Sequence, residues 1–183
     1  NVREYYKKSV LLRNDDHFEI QFKEIFDHMA ALYGLDDMQK DQLMQWEIDG
    51  ELEAVIPLVP QISLLKKYIA EGNDIVLISD MYLPKEVIVK LLQKADPLLA
   101  TLPLYVSSEV GHQKTTRKLF LHVYSDLDYC YEKWIHIGDN RFADQVQPEM
   151  LGIQTAPIPV PEWTPYEKRL ADYSSHYEFR CVA

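Results

Sequence analysis

The stretch that most constrains this chain is WIHIGDNRFAD, residues 134–144, an apolar run that stops at a glycine and then presents two carboxylates. Trp134, Ile135 and Ile137 read as a short buried strand, and Gly138 lets the backbone turn sharply at its carboxyl end, where Asp139 and Asp144 follow. In an open α/β sheet, ligands bind at that end of the strands. Two acids there suit a hard cation such as Mg2+, which prefers oxygen ligands. Each also has a plainer reading, Asp139 as the cap of the next helix and Asp144 as a solvated helix residue.

At 183 residues with 47% hydrophobic content, the chain suits one domain with a small appendage and can bury a proper core. A net charge of -10 argues against a general nucleic-acid binder, because such proteins carry a basic face that displaces counterions from phosphate. An acidic enzyme still binds phosphate through a local lysine and a metal. Cys130 and Cys181 have neither CxxC spacing nor a metal-ligand grouping, and no apolar run approaches the ~20 residues of a membrane helix. The expectation is a cytoplasmic protein with reduced thiols, no membrane partner and no signal peptide.

The first fifty-odd residues read as helical. Residues 2–12 are mixed apolar and basic, and Asn14 to Asp16 looks like a turn or cap. In residues 18–33, Phe18, Phe22, Ile25, Phe26 and Met29 recur at helical spacing before Gly34. Asp36 can cap a helix over 37–55 with Leu43, Trp46 and Leu52 on its inner side. Glu47, Glu51 and Glu53 read as a solvated face.

From Pro57 the pattern alternates between helices and buried strands. A helix over 60–70 ends at Glu71-Gly72-Asn73, and residues 74–78 are a continuous apolar run of the kind expected for a strand covered on both faces. Leu83-Pro84 starts a helix with Val87, Ile88, Leu91 and Leu92 as its buried stripe. Strands are expected at 104–106, 134–137 and 153–158, with a helix at 115–124 and a last one near 166–177. The fold class is therefore α/β, a parallel sheet with helices on both faces and a helical N-terminal region.

The loops after the strands hold the polar groups. Ser79 and Asp80 follow the first, where a hydroxyl and nearby amides accept a phosphoryl oxygen, or where Ser79 merely caps a turn. Ser107, Ser108 and Glu109 follow the second, then Lys114 at a helix start. A lysine there opposes the macrodipole, so it needs either full solvation or a nearby anion.

Together these loops resemble motifs II, III and IV of the haloacid dehalogenase superfamily: an apolar strand then Ser79, Lys114 with Phe120 six residues on, and Gly138-Asp139 with Asp144 five further. The phrases SDMYLP (79–84) and YVSSEVG (105–111), with Lys114 and IGDN, are similar more narrowly to a bacterial group found alone or beside glycosyltransferase domains in surface-polysaccharide settings. Glu47 and Glu51 ahead of Pro57 fit that group's helical cap. The resemblance implies a Rossmann-like core over residues 57–160, a cap over 1–56 and a C-terminal helix and tail over 161–183. It implies that Ser79 hydrogen-bonds a transferring phosphoryl group, with Asp80 beside it, and that Lys114 neutralises its charge. Asp139 would bind Mg2+ with Asp144 in support, and the substrate would be a small phosphorylated molecule such as a sugar phosphate.

Such enzymes attack with an aspartate from a DxD motif at the end of their first strand. The nearest candidate, SVLLRNDD at 9–16, places Arg13 and Asn14 where the first aspartate should stand. That strand lies mid-sheet in the family, between those carrying Ser79 and Asp139, so its absence should leave an open slot. The expectation is a chain that begins just after motif I. Residues 9–12 or another molecule filling the slot, and a degenerate non-catalytic relative, are the alternatives. Two functions follow: a Mg2+-dependent phosphohydrolase lacking its nucleophile strand, and a non-catalytic binding module in a polysaccharide-assembly or glycosyltransferase-associated protein. The cap aromatics Tyr5, Tyr6, Phe26, Tyr33 and Trp46 are core or pocket, with Phe26 and Trp46 expected in the core; the tail aromatics Tyr173, Tyr177 and Phe179 hint at a contact surface.

Overall fold

The computed structural model describes residues 19–127, 133–158 and 168–169. The expected elements at 2–12 and 9–16, the expected helix at 166–177 apart from the helical residues 168–169, both cysteines, and the aromatics Tyr5, Tyr6, Tyr173, Tyr177 and Phe179 lie outside them. Helix α1 (Phe22–Tyr33) buries Phe22, Ile25 and Phe26 at helical spacing. It starts later than the apolar pattern suggests, where the Gln21 N–H donates to Glu24 Oε2 at 3.0 Å. Gly34, left-handed at φ 67°, ends it. Helix α2 (Asp37–Ala54) opens on a reciprocal cap, the Gln39 N–H on Asp36 Oδ1 at 2.8 Å and the Asp36 N–H on Gln39 Oε1 at 3.0 Å.

Trp46 is a correction. It is 62% exposed, because α2 packs on its neighbours through Leu43, Met44 and Ile48, and residue 46 falls on the opposite side of the turn. Helix α3 (Val59–Ala70), with Pro60 in its first turn, leads to strand β1 (Leu77–Ser79). The strand is shorter than the apolar run predicts and starts later, with residues 74–76 outside it, and it is half-buried along its length rather than covered on both faces.

Helix α4 (Lys85–Ala95) buries Val87 and Ile88 and is followed by β2 (Leu104–Val106) and a single turn, α5 (Ser107–Val110). The helix expected from residue 115 arrives in two pieces. A 3-10 turn at Lys114–Thr116 closes on Arg117, a non-glycine residue at φ 66°, and α6 (Lys118–Leu127) then buries Leu119, Phe120 and Val123. Strand β3 (Ile135–Gly138) is followed by a π-helical stretch at Arg141–Val146, the short α7 (Gln147–Glu149) and β4 (Gln154–Pro157).

The strands form two parallel pairs. β1 pairs with β2, Leu77 opposite Leu104 and Ser79 opposite Val106; β3 pairs with β4, Ile135 opposite Gln154 and Gly138 opposite Pro157. Among the described residues no ladder joins β1 to β3. Bonding in a parallel ladder alternates from residue to residue. The Leu77 N–H donates to the Pro103 carbonyl on the β2 side, so the backbone groups of Ile78 face away from β2. On β3, the Trp134 and Gly138 carbonyls accept from Gln154 and Ile158, so those of Ile135 and Ile137 face away from β4. Among the described residues β1 and β3 therefore each keep their second edge without a ladder partner.

The main core joins the helical region to the first pair. Ile20, Phe22, Ile25 and Phe26 pack with Leu83, Val87, Ile88, Leu104 and Val106. Each such fully buried side chain contributes about 1.5–3 kcal/mol over exposure. The helices before Pro57 are thus anchored on α4 and on the loop after β1, and Tyr82 in that loop donates its hydroxyl to Glu47 Oε1 of α2 at 2.7 Å. Glu47 is tied to the site loop, where the sequence suggests a solvated face.

Candidate functional site

Ser79 is the last residue of β1, and the loop after it is tied to the loop after β2. The Met81 N–H donates to Ser107 Oγ at 2.9 Å, Ser108 Oγ donates to the Leu83 carbonyl at 3.1 Å, and the Lys85 N–H reaches Glu109 Oε1 at 3.3 Å. Both serines are buried. The two phrases SDMYLP and SSE thus form one unit, which holds Asp80 against the next segment. Both oxygens of Asp80 accept the Lys114 N–H, at 2.9 and 3.1 Å.

The side chain of Lys114 points the other way along the site. Its ammonium lies 2.5 Å from Asp144 Oδ1, and the two side chains are 12% and 3% exposed. His136 Nε2 stands 3.0 Å from the same oxygen, and the Asn140 N–H donates to Asp144 Oδ2 at 3.0 Å. Gly138 makes room for this carboxylate: a Cβ there would lie 2.4 Å from Asp144 Cγ. One lysine therefore connects the carboxyl end of β1, through its main chain, to the carboxyl end of β3, through its ammonium.

The two carboxylates are shifted in opposite directions. Burial by itself raises Asp144, but the hydrogen bonds from His136 and Lys114, the Lys114 charge and the Asn140 N–H outweigh it and keep the group well below the usual carboxylate range. For Asp80 burial prevails over the Lys114 N–H and charge, and the nearby charges of Glu19 and Asp144 add to it, so its affinity for a proton is raised. Carboxylates pushed apart in this way are a mark of functional sites, although structural ion pairs do the same.

Several expectations change here. Asp144 is buried, not a solvated helix residue, and it lies in the π-helical stretch, its N–H on the Asn140 carbonyl at 2.7 Å and its carboxylate against Gly138 of β3. Asp139 does not cap that stretch; Asn140 does, its Oδ1 accepting the N–H groups of Phe142 and Ala143 at 3.0 Å each. Asp139 sits one residue beyond β3 and is exposed. Lys114 is not solvated at a helix start but paired with an anion. In β3 the expected burial is inverted: Ile135 is 56% exposed and His136 is 8% exposed. His136 is the site residue that sequence reasoning missed, and the signal for it was a lone polar residue alternating with isoleucines in an otherwise apolar run.

Ser79, Asp80, Lys114 and Asp144 are thus brought to the carboxyl ends of two parallel strand pairs. Asp139 stands at the same end of β3, toward solvent. Among the described residues no group of three or more His, Cys, Asp or Glu side chains gathers as a metal site. The oxygens of Asp144 are occupied by Lys114, His136 and Asn140, which leaves Asp139 as the exposed carboxylate of the set. Mg2+ is commonly held by one or two carboxylates with waters and substrate phosphate oxygens; of these donors the described site offers one exposed carboxylate, Asp139.

Fold and site together define a mixed α/β chain with parallel strand pairs and a buried lysine–aspartate–histidine cluster at their carboxyl ends, and no described helix is long and apolar enough to cross a membrane. The chain matches no family model, and no curated protein is similar to it by sequence.

Proposed function

We propose that this chain is a haloacid dehalogenase-like domain whose site serves Mg2+-dependent hydrolysis of a small phosphorylated substrate such as a sugar phosphate. The observation that carries the proposal is the span of Lys114, from the Asp80 carboxylate at the end of β1 to the Asp144 carboxylate beside the end of β3. Motifs that are weak singly meet at one end of a parallel arrangement, where α/β folds place ligands. Two strand pairs in which β1 and β3 each lack a second ladder partner among the described residues agree with a sheet whose central strand is supplied by residues other than those described.

In this proposal the Ser79 hydroxyl and the Asp80 N–H hold phosphoryl oxygens, while the Met81 N–H stays on Ser107 Oγ. The Lys114 ammonium keeps donors beyond the one it gives Asp144 and directs them at the developing charge. Asp144 holds Lys114 in place, and Asp80, with its raised proton affinity, is the group suited to move a proton at the same end of β1. Mg2+ bound at Asp139 would supply further neutralisation of phosphoryl oxygens. The helices before residue 57 form the cap that sets the substrate, a cytoplasmic location suits the reduced thiols, and a glycosyltransferase domain is the proposed companion.

The covalent route needs an attacking carboxylate, and the described residues of the site supply none in that role. Residues 1–183 alone should therefore leave p-nitrophenyl phosphate intact, whereas the chain extended upstream by an apolar strand ending in DxD should hydrolyse it and fall silent when the first aspartate becomes asparagine. Activity of residues 1–183 that disappears in Asp15→Asn or Asp16→Asn would place the nucleophile within 9–16. The engagement of every Asp144 oxygen in internal bonds favours a second reading, a non-catalytic module that binds a phosphorylated ligand through Lys114. An upstream DxD strand that binds in place without conferring turnover would select it.

A further inference from the structure

We infer that His136 is a positioning residue: its Nε2 bond to Asp144 fixes the carboxylate that aims the Lys114 ammonium across the carboxyl ends of β1 and β3. The inference rests on the proposed phosphate site for what Lys114 is aimed at, but not for the aiming itself. His136 occupies the buried position of β3, with its ring edge-on to Phe120 at 4.9 Å between centroids. Leucine or valine would fill that space without cost, whereas a buried imidazole must be hydrogen-bonded to be tolerated. What the imidazole adds is one donor.

That donor completes a three-point hold. Lys114 and His136 share Oδ1 of Asp144, the Asn140 N–H takes Oδ2, and the absent Cβ of Gly138 leaves the group pressed against the backbone of β3. Oδ1 then has both lone pairs in use, and rotating the carboxylate would break bonds on both oxygens at once. Without His136, Oδ1 retains only the ammonium, which sits on a long flexible stem and can move together with its partner. Because a carboxylate only accepts, the bond requires a proton on Nε2.

The test uses the full chain and its His136→Leu and His136→Gln variants, the second placing an amide donor near the position of Nε2. The nitrogen-15 signal of the Lys114 ammonium reports its hold, and inorganic phosphate added to each variant reports its use. The expected result is that His136→Leu shifts or broadens the ammonium signal and weakens phosphate binding by about tenfold, the loss of one hydrogen bond to a charged group, and that His136→Gln restores both. An unchanged signal with affinity within about twofold of the parent, or a glutamine variant that behaves like leucine, would overturn the inference. Should His136→Leu fail to fold, the parent's imidazole decides: an Nε2–H tautomer that changes in Asp144→Asn supports the inference, and an Nδ1–H tautomer refutes it. If phosphate leaves the parent's Lys114 signal unmoved, the phosphate proposal falls, while the dependence of that signal on His136 still decides this one.

Discussion

Replacing Gly138 by alanine adds one methyl group at the point where β3 meets Asp144, and the structure gives the size of the effect. The new Cβ would stand 2.4 Å from Asp144 Cγ, 2.5 Å from Oδ2 and 2.6 Å from Cβ. The last of these is next to the backbone, so the overlap is not with a flexible tip that can swing clear. Gly138 has no left-handed φ, so the cost is steric rather than conformational. Overpacking of this kind costs about 1–3 kcal/mol when the surroundings yield. Moving Asp144 aside instead forfeits bonds to a charged group at about 1.5–3 kcal/mol each, and there are three. The expected loss is about 3 kcal/mol, set against a total of about 5–15 kcal/mol for a domain. A thermal melt should then fall by roughly 6–12 °C, at about 2–4 °C per kcal/mol for a chain of this size. Urea unfolding with an unchanged slope would give the free energy directly. A loss below about 0.5 kcal/mol, the range of surface substitutions, would refute the claim that Asp144 is clamped against β3.

Asp144→Asn should destabilise by about 3–5 kcal/mol, because it leaves the nearly buried Lys114 ammonium without its counter-charge. The Asp144 carboxyl is depressed in the folded state, so its contribution is fully present above its unfolded value and is lost as pH falls through the folded one. In chemical denaturation the gap between parent and variant should therefore hold at neutral pH and shrink on acidification below about pH 4; a constant gap contradicts the pairing. Asp80 carries the opposite sign. Its raised proton affinity means the folded state is penalised while the group is ionised, so Asp80→Asn should be neutral or stabilising at pH 7 and lose that advantage as acid protonates the parent; a variant that is markedly weaker at neutral pH would show the charge to be needed.

What the sequence made legible were the features with strong local causes. Gly34 and the Asp36 cap set helix ends correctly, the apolar triplet at 104–106 is strand β2 to the residue, and Val87 with Ile88 marked the buried face of α4. Lys114 and Asp144, singled out through the family resemblance, meet in one ion pair. The errors arise where tertiary neighbours decide. Trp46 is apolar but lies on the exposed side of α2, where no described element covers it, and residues 74–76 carry strand composition without a ladder among the described residues. His136 was hidden by a pattern that treats polar residues in strands as outward-facing, whereas here the polar residue turns inward because an aspartate eight residues on waits for its donor. The π-helical stretch that carries Asp144 leaves no sign in the periodicity of so short a segment.

The proposed phosphoryl-binding site lies at the carboxyl ends of the two strand pairs and is built on Lys114. The most direct measurement is to add inorganic phosphate, with and without Mg2+, to the nitrogen-15-labelled chain and map the amides that respond. The account predicts shifts at Ser79, Asp80, Lys114 and Gly138, a stronger response with Mg2+ that reaches Asp139, and the loss of the whole set in a folded Lys114→Met variant. Shifts confined to other surfaces, or a response at these amides that survives Lys114→Met, would contradict it.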